Sequence, residues 1–422
     1  MDNQWLSPGP NPESGIYLHI PFCEKKCIYC DFYSLERMEH MEVFISMIIK
    51  EIEHIAKNLD TAPRPATSIF FGGGTPSLLS PAQLEKIITA LRNALPIKND
   101  AEWTMECNPG TISRESLGGY KSLGINRLSF GVQSFQQSEL DFLHRIHSPE
   151  QGIQAVELAM QAGFQNINID MIFALPGQSL ESWQNNLQQA IALGTEHISA
   201  YSLIFEEKTP LYTMLRKGLV KPGDEETDAA MYQMTIEKLA DAGFQQYEVS
   251  NFARPGKACT HNRTYWHGKE YLAFGPSAHA YFNGRRSWNY RNLIRYLQAV
   301  QAKGNAIASY EDLTPMNKMF EMAFLSFRAD GLRPQQIYQQ TGIDLYEAMA
   351  DTLRLWQQEN LIKISPDQQI IRLTPTGYAL CDELSLKVIE VLEKKAGTIW
   401  ESASYEEEND TDLQTEFALP VL

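Results

Sequence analysis

The chain has 422 residues, of which 43% are hydrophobic and 21% charged, a composition that excludes disorder over most of its length. Its size predicts one large core with a smaller appendage. The formal net charge is −16, and removing the seven acidic residues that follow Lys395 (Glu401, Glu406, Glu407, Glu408, Asp410, Asp412 and Glu416) leaves −9, which argues against nucleic acid as a partner because phosphates are neutralised by Lys and Arg. There is no run of about 18 apolar residues and no basic segment leading into an apolar one at the N-terminus, so a cytoplasmic protein is expected.

From Gly15 to about Gly243 a short β-rich run, a turn and an amphipathic helix recur. The runs Ile16–Ile20, Ser68–Phe71, Trp103–Cys107, Arg127–Phe130, Asn166–Ile172 and His197–Ser202 predict strands. Helices are predicted over Glu42–Asn58, Pro81–Ala94, Ser113–Leu123, Pro149–Ala162 and Leu180–Leu193. Two helix starts, at Ser80 and Ser148, combine an N-cap serine, proline at the first helical position and glutamine at the reciprocal capping-box position. Six such units imply right-handed crossovers and a parallel sheet covered by helices, as an open sheet or an incomplete (β/α)6 barrel. Chemistry then collects at the C-terminal strand ends.

After Gly243 the alternation loosens into Gln246–Val249, the segment from Cys259 to Trp266, and an aromatic, glycine-rich stretch through Tyr290. A helix from Asn292 to about Lys303 leads into a polar link at 304–313. From Thr314 to about Leu392 the pattern is mostly helical, with a small hairpin at Leu361–Ile364 and Ile370–Leu373, and is winged-helix-like. The expected division is an arm (1–14), an α/β barrel with its extension (15–305), a mainly helical C-terminal domain (306–392) and a mobile acidic tail (393–422).

Cys23, Cys27 and Cys30 form a C-x3-C-x2-C array with Tyr29 before the third cysteine, whereas Cys107, Cys259 and Cys381 are isolated and read as small buried hydrophobes. Three thiolates in one loop can hold three irons of a cubane and leave the fourth open. Structural zinc would need a fourth ligand, usually in a second Cys/His pair, and His40 is the nearest downstream candidate. Gly72-Gly73-Gly74-Thr75-Pro76 follows the second strand, where side-chain-free backbone can approach a ligand and consecutive amides can form an anion nest.

The array, together with the strings from Tyr17 to Cys23 and from Cys30 to Ser34, resembles the radical S-adenosylmethionine (SAM) superfamily. Within it, the chain is similar from about Gly15 to Leu392 to the branch containing oxygen-independent coproporphyrinogen III dehydrogenase and the HemW haem chaperones. The resemblance implies a [4Fe-4S] cluster on Cys23, Cys27 and Cys30 whose free iron binds SAM. It assigns Tyr17, Tyr29, Gly73, Gly74, Thr75, Glu106, Gln133, Arg145 and Asp170 to SAM, some of them to a second SAM in the dehydrogenase.

Two departures separate the chain from the dehydrogenase, which carries a further cysteine where this sequence has Phe32 and a longer arm before the first strand. His261, Asn262, Tyr265 and Trp266 match an HNxxYW motif associated with haem, with His261 as the candidate contact. The plainer reading is an Asn-capped turn with a buried tryptophan closing the barrel edge. His267 and His279 are weaker candidates. The resemblance therefore implies a haem chaperone, with porphyrinogen decarboxylation or haem methylation or opening as the enzymatic alternative. Its implied partners are haem, recipient haem proteins including respiratory ones, and an electron donor, with peripheral membrane association and a homodimer compatible with it.

Overall fold

A computed structural model describes residues 14–59 and 64–396; the acidic segment 397–422 and most of the arm lie outside the described residues. Six strands, β1 (Ser14–Ile20), β2 (Ala66–Gly73), β3 (Ile97–Cys107), β4 (Arg127–Gln133), β5 (Ile167–Phe173) and β6 (His197–Ser202), lie side by side in chain order, each parallel to the next. Helices Met41–Lys57, Pro81–Ala94, Arg114–Leu123, Pro149–Gln161 and Leu180–Ala192 fill the crossovers. The serine caps form as their spacing predicts, since Gln83 N donates to Ser80 Oγ at 3.3 Å while Ser80 N donates back to Gln83 Oε1 at 2.9 Å. Ser148 and Gln151 repeat the arrangement.

Strand periodicity sorts the side chains into two faces. Ile16, Leu18 and Ile20 of β1, Ile69 and Phe71 of β2, Leu128, Phe130 and Val132 of β4, and Ile169 and Met171 of β5 share one core with helix residues such as Ile48, Leu84 and Val156. The alternate residues are polar and face the barrel interior: Glu102, Thr104 and Glu106; Arg127 and Ser129; Asn168 and Asp170; His197 and Ser199. They bond to one another there, His197 Nδ1 lying 2.6 Å from Asn168 Oδ1 and Asn168 Nδ2 donating to Asp170 Oδ1 at 2.8 Å. A polar lumen behind a fully apolar outer face is a large commitment of buried polarity, and buried polar groups persist only when paired.

The sheet does not close on itself. Beyond β6 it continues antiparallel through β8 (Asn251–Ala253) and β7 (Gln245–Glu248). On the other side β1 pairs in parallel with β9 (Tyr271–Phe274), followed by antiparallel β10 (His279–Phe282), β11 (Arg285–Asn289) and β12 (Ile307–Asp312). The polar link expected at 304–313 is therefore an edge strand in this sheet, which runs past the expected division at 305/306. Its alternation is weak because both faces are largely exposed.

A second core gathers Met319, Phe327, Trp356, Ile371 and Val388 from the helices between Pro315 and Ala396 and from the hairpin of β13 (Ile362–Ile364) and β14 (Ile371–Leu373), with Leu332 from the connection that bridges to Ile371. It docks on the barrel through Val249 N to Arg328 O at 2.9 Å and His267 Nε2 to Asp330 Oδ2 at 2.7 Å.

Candidate functional site

The chain leaves β1 into a loop that closes on itself. Leu35 N donates to Pro21 O at 2.7 Å and Cys23 N to Leu35 O at 2.9 Å, so the three cysteines lie within one tied segment. Ile28 and Tyr29 pack into a satellite core with Leu143, Ile172, Leu175, Leu203 and Leu211, and Leu211 N donates to Ile28 O at 2.9 Å. The loop is thus held over the strand ends from its own base and from the β6 side.

Beneath it opens a cavity of about 420 Å³ lined by Cys23, Cys27, Cys30, Gly73, Gly74, Thr75, Glu106, Gln133, Arg145 and Asp170, with Tyr29 and Phe32 on the loop side. That is the size range of a small-ligand pocket. Burial raises the Cys23 thiol and pushes Cys30 up to about 11, so occupancy by a metal centre must displace protons. Thr75 Oγ1 donates to Cys23 Sγ at 3.5 Å and Arg145 Nη1 to Cys27 Sγ at 3.2 Å. Among the described residues no three His, Cys, Asp or Glu side chains converge as one metal ion requires; a cubane instead asks each thiolate to reach its own iron, which fits three thiols spread along one loop.

The glycine loop behaves differently from the nest expected of it. Gly73 N donates to Glu106 Oε2 at 3.1 Å, Gly74 N to Ile20 O at 2.8 Å and Thr75 N to Phe22 O at 2.7 Å. These amides are already spent, so the loop offers a ligand close approach instead of anion binding. Gly74 is required by space: a Cβ there would stand 2.6 Å from Phe22 O and 2.9 Å from Ile20 O.

Glu106 and Asp170 put two buried carboxyls in the same wall. Burial, reinforced by the nearby charge of Asp170, pushes Glu106 up to about 8, while its bond from Gly73 and the Arg127 guanidinium pull the other way. Asp170 is raised by burial against bonds from Ser199, Asn168 and Ser129. Gln133 ends β4 at φ 69°, left-handed for a residue with a side chain, where the β4–β5 register shifts. Such backbone strain concentrates at ligand sites. A Cβ on Gly131 would meet Gln133 Nε2 at 2.9 Å and Arg145 Nη2 at 3.2 Å, the far ends of two side chains that would have to shift.

Tyr17 does not line the cavity. It sits a layer below, its hydroxyl 3.2 Å from His19 Nδ1 and its ring against the backbone of Gly72. Ser129, Gly131 and Tyr201 line the cavity and escaped the sequence reading. Their signal was the two-residue period that carries Ser129 and Gly131 to Gln133.

The HNxxYW segment lies elsewhere and is a short helix, Thr260–Trp266, not a turn. His261 is 1% exposed. Its Nδ1 lies 2.9 Å from Ser68 Oγ and its Nε2 2.9 Å from Tyr265 OH, while its ring stacks on Phe70 with centroids 5.0 Å apart. Burial lowers its pKa to about 3. His261 is the haem contact that the resemblance implies; in this arrangement both of its ring nitrogens are hydrogen-bonded and the ring lies buried beneath the lumen. Asn262, Tyr265 and Trp266 do not line the cavity either, and Trp266 is half-buried, not the buried plug expected. His267 pairs with Asp330, and His279 is exposed on β10, stacked on Trp288.

Comparison with known proteins agrees with this layout. Residues 17–190 match the radical SAM superfamily and residues 313–380 the HemN C-terminal domain. The chain is 35% identical over 372 residues to the heme chaperone HemW of Bacillus subtilis, covering 87% of this chain and 97% of the relative. It is 35% identical over 324 residues to that of Escherichia coli, covering 75% and 83%. A mitochondrial radical S-adenosyl methionine domain-containing protein 1 of Bos taurus is 32% identical over 403 residues, covering 92% and 90%. The solved structure of the coproporphyrinogen III oxidase HemN from Escherichia coli superposes with a TM-score of 0.76 at 26% identity, covering 91% of each chain. With a tied three-cysteine loop over a six-stranded parallel barrel and relatives matched over nearly their whole length, the chain belongs to the HemW family, in the HemN/HemW branch of the radical SAM superfamily.

Proposed function

We propose that this protein is a cytoplasmic haem chaperone, which binds haem and passes it to haem proteins, respiratory ones among them. In this reading Cys23, Cys27 and Cys30 hold a [4Fe-4S] cluster, and Glu106, Gln133, Arg145 and Asp170 hold SAM. A cluster bound in this way supplies one electron at an iron that no side chain occupies. The protein's own contribution is position and polarity. Glu106 and Asp170 face the cationic end of SAM, Gly73 to Thr75 bring bare backbone close, and Tyr29 with its apolar neighbours keeps water from the cysteine side. Tyr17 supports Glu106 from behind.

The observation that carries the reading is the match to proteins named heme chaperone over 97% of a relative's length, on a chain that has Phe32, 60% exposed, at the cavity rim where the dehydrogenase places a further cysteine. The same reading includes an electron donor, peripheral contact with membranes and pairing of two copies; no described helix is long and apolar enough to cross a membrane.

The test is transfer. Protein reconstituted under anaerobic conditions and loaded with haemin is mixed with the apo form of a respiratory b-type haem protein, and the Soret band is expected to move from donor to acceptor. In a parallel incubation with SAM, a reductant and coproporphyrinogen III, no vinyl-bearing product is expected. Formation of that product, with no haem transfer, would replace the chaperone by a porphyrinogen-modifying enzyme.

A further inference from the structure

Arg145 brings a positive charge into the cavity with no carboxylate to answer it. Among the described residues it forms no ion pair; its polar contacts are Nη1 to Cys27 Sγ at 3.2 Å and Nη2 to Gly131 O at 2.5 Å. Its Nε is sealed from water and has no partner. A guanidinium withdrawn from water without an anion is costly, so the geometry calls for negative charge on the side where Cys27 stands.

Several features fix the group there. Arg145 follows His144, which takes φ 57°, and Arg145 N caps the preceding helical turn by donating to Leu140 O at 2.9 Å. The bond to Gly131 O ties the guanidinium to the end of β4. The Nη1 group is therefore aimed at the sulfur by the backbone on both sides. By contrast, the hydroxyl that Thr75 donates to Cys23 is neutral.

We propose that Arg145 is a positioning residue for the cluster itself, its guanidinium donating a charge-assisted hydrogen bond to the Cys27 sulfur and raising the reduction potential of the metal centre. The inference rests on the assignment of the cluster to Cys23, Cys27 and Cys30. Each electron added to such a cluster adds one negative charge, which a fixed cation at a ligand sulfur stabilises; net charge and hydrogen bonds to sulfur are the protein's main levers on these potentials. The effect is exerted before SAM binds, which separates it from a role in holding SAM.

The experiment is an anaerobic redox titration, followed by electron paramagnetic resonance without SAM, on full-length wild type, Arg145→Met and Arg145→Lys with iron and sulfide content measured in each. The expected order of midpoint potential is wild type, then Arg145→Lys, then Arg145→Met as the most negative, at equal iron content. Equal potentials in three fully loaded proteins would overturn the inference and leave the cluster assignment intact. If neither variant holds a cluster that the wild type holds, Arg145 is a structural prop and the inference fails as well. A wild type that binds no cluster defeats the underlying assignment, and iron content identifies that case.

Discussion

His261 Nε2 and the Tyr265 hydroxyl lie 2.9 Å apart, one helical turn from each other, and so the HNxxYW segment is bonded to itself before it meets any ligand. With Ser68 on the other nitrogen and Phe70 and Tyr17 stacked on the ring, the motif is a keystone under the barrel lumen. The helix that carries it ends at Trp266 and is capped by His267, whose bond to Asp330 reaches the C-terminal core.

His261→Ala should therefore behave as a core deletion. Removing the ring leaves a void and strands Ser68 and Tyr265, and roughly 2–4 kcal/mol of stability should be lost, read from chemical denaturation. The haemin spectrum of the folded variant should match the wild type. The pH dependence has a definite sign. Folded His261 stays neutral down to about 3, while the unfolded ring takes up a proton below its ordinary value near 6.5. The unfolded state binds more protons in that window, so stability should fall as pH drops from about 6.5 toward 3. His19 and His147, each lowered by burial to about 4, share the window, and the variant should flatten only part of the slope.

Glu106 shows the opposite linkage. Its folded value is raised to about 8, so between its ordinary carboxyl range and pH 8 the folded state keeps a proton that the unfolded chain gives up, and stability falls as pH rises. A cationic ligand reverses the preference. SAM affinity, followed by calorimetry on cluster-loaded protein, should rise with pH up to about 8 with release of a proton. In Glu106→Gln it should be lower by roughly 10- to 100-fold, the worth of a charged hydrogen bond of about 1.5–3 kcal/mol, and nearly independent of pH. Persistence of the pH dependence in Glu106→Gln would assign the proton to another group, with Asp170 the nearest candidate.

Gly74→Ala is expected to fail by collision. The added carbon would stand 2.6 Å from Phe22 O and 2.9 Å from Phe22 N, backbone that cannot swing away, one residue before Cys23. A cost of about 2–4 kcal/mol is expected, together with reduced iron incorporation. Wild-type iron content in this variant would show that the loop tolerates displacement.

Much of the barrel is legible in the sequence because its signals are local. Ser80 and Ser148 announce their helices through residues one to three positions away, and His197–Ser202 begins and ends where its β-rich run does. Glu106, Gln133 and Asp170 could be placed at strand ends by counting along each run. The remainder depends on partners distant in the chain. β8 has three residues and β7, β9 and β10 four each, too few to show a period, and they exist because β1 and β6 leave edges open. The helix at Thr260–Trp266 is seven residues long and rich in weak helix formers, so it is stabilised by packing against β1 and β2. The spent amides of Gly73 to Thr75 could not be foreseen, since their acceptors, Glu106 Oε2, Ile20 O and Phe22 O, lie on or just beyond other strands.

The most direct measurement is electron paramagnetic resonance of the reduced, anaerobically reconstituted protein before and after SAM is added, with iron content determined in parallel. Close to four irons per chain and a spectrum altered by SAM are expected, with both lost in Cys23→Ala, Cys27→Ala or Cys30→Ala. A full complement of iron in any of these variants, or a wild-type spectrum that SAM leaves unchanged, would contradict a cluster held by three thiols with one iron open to SAM.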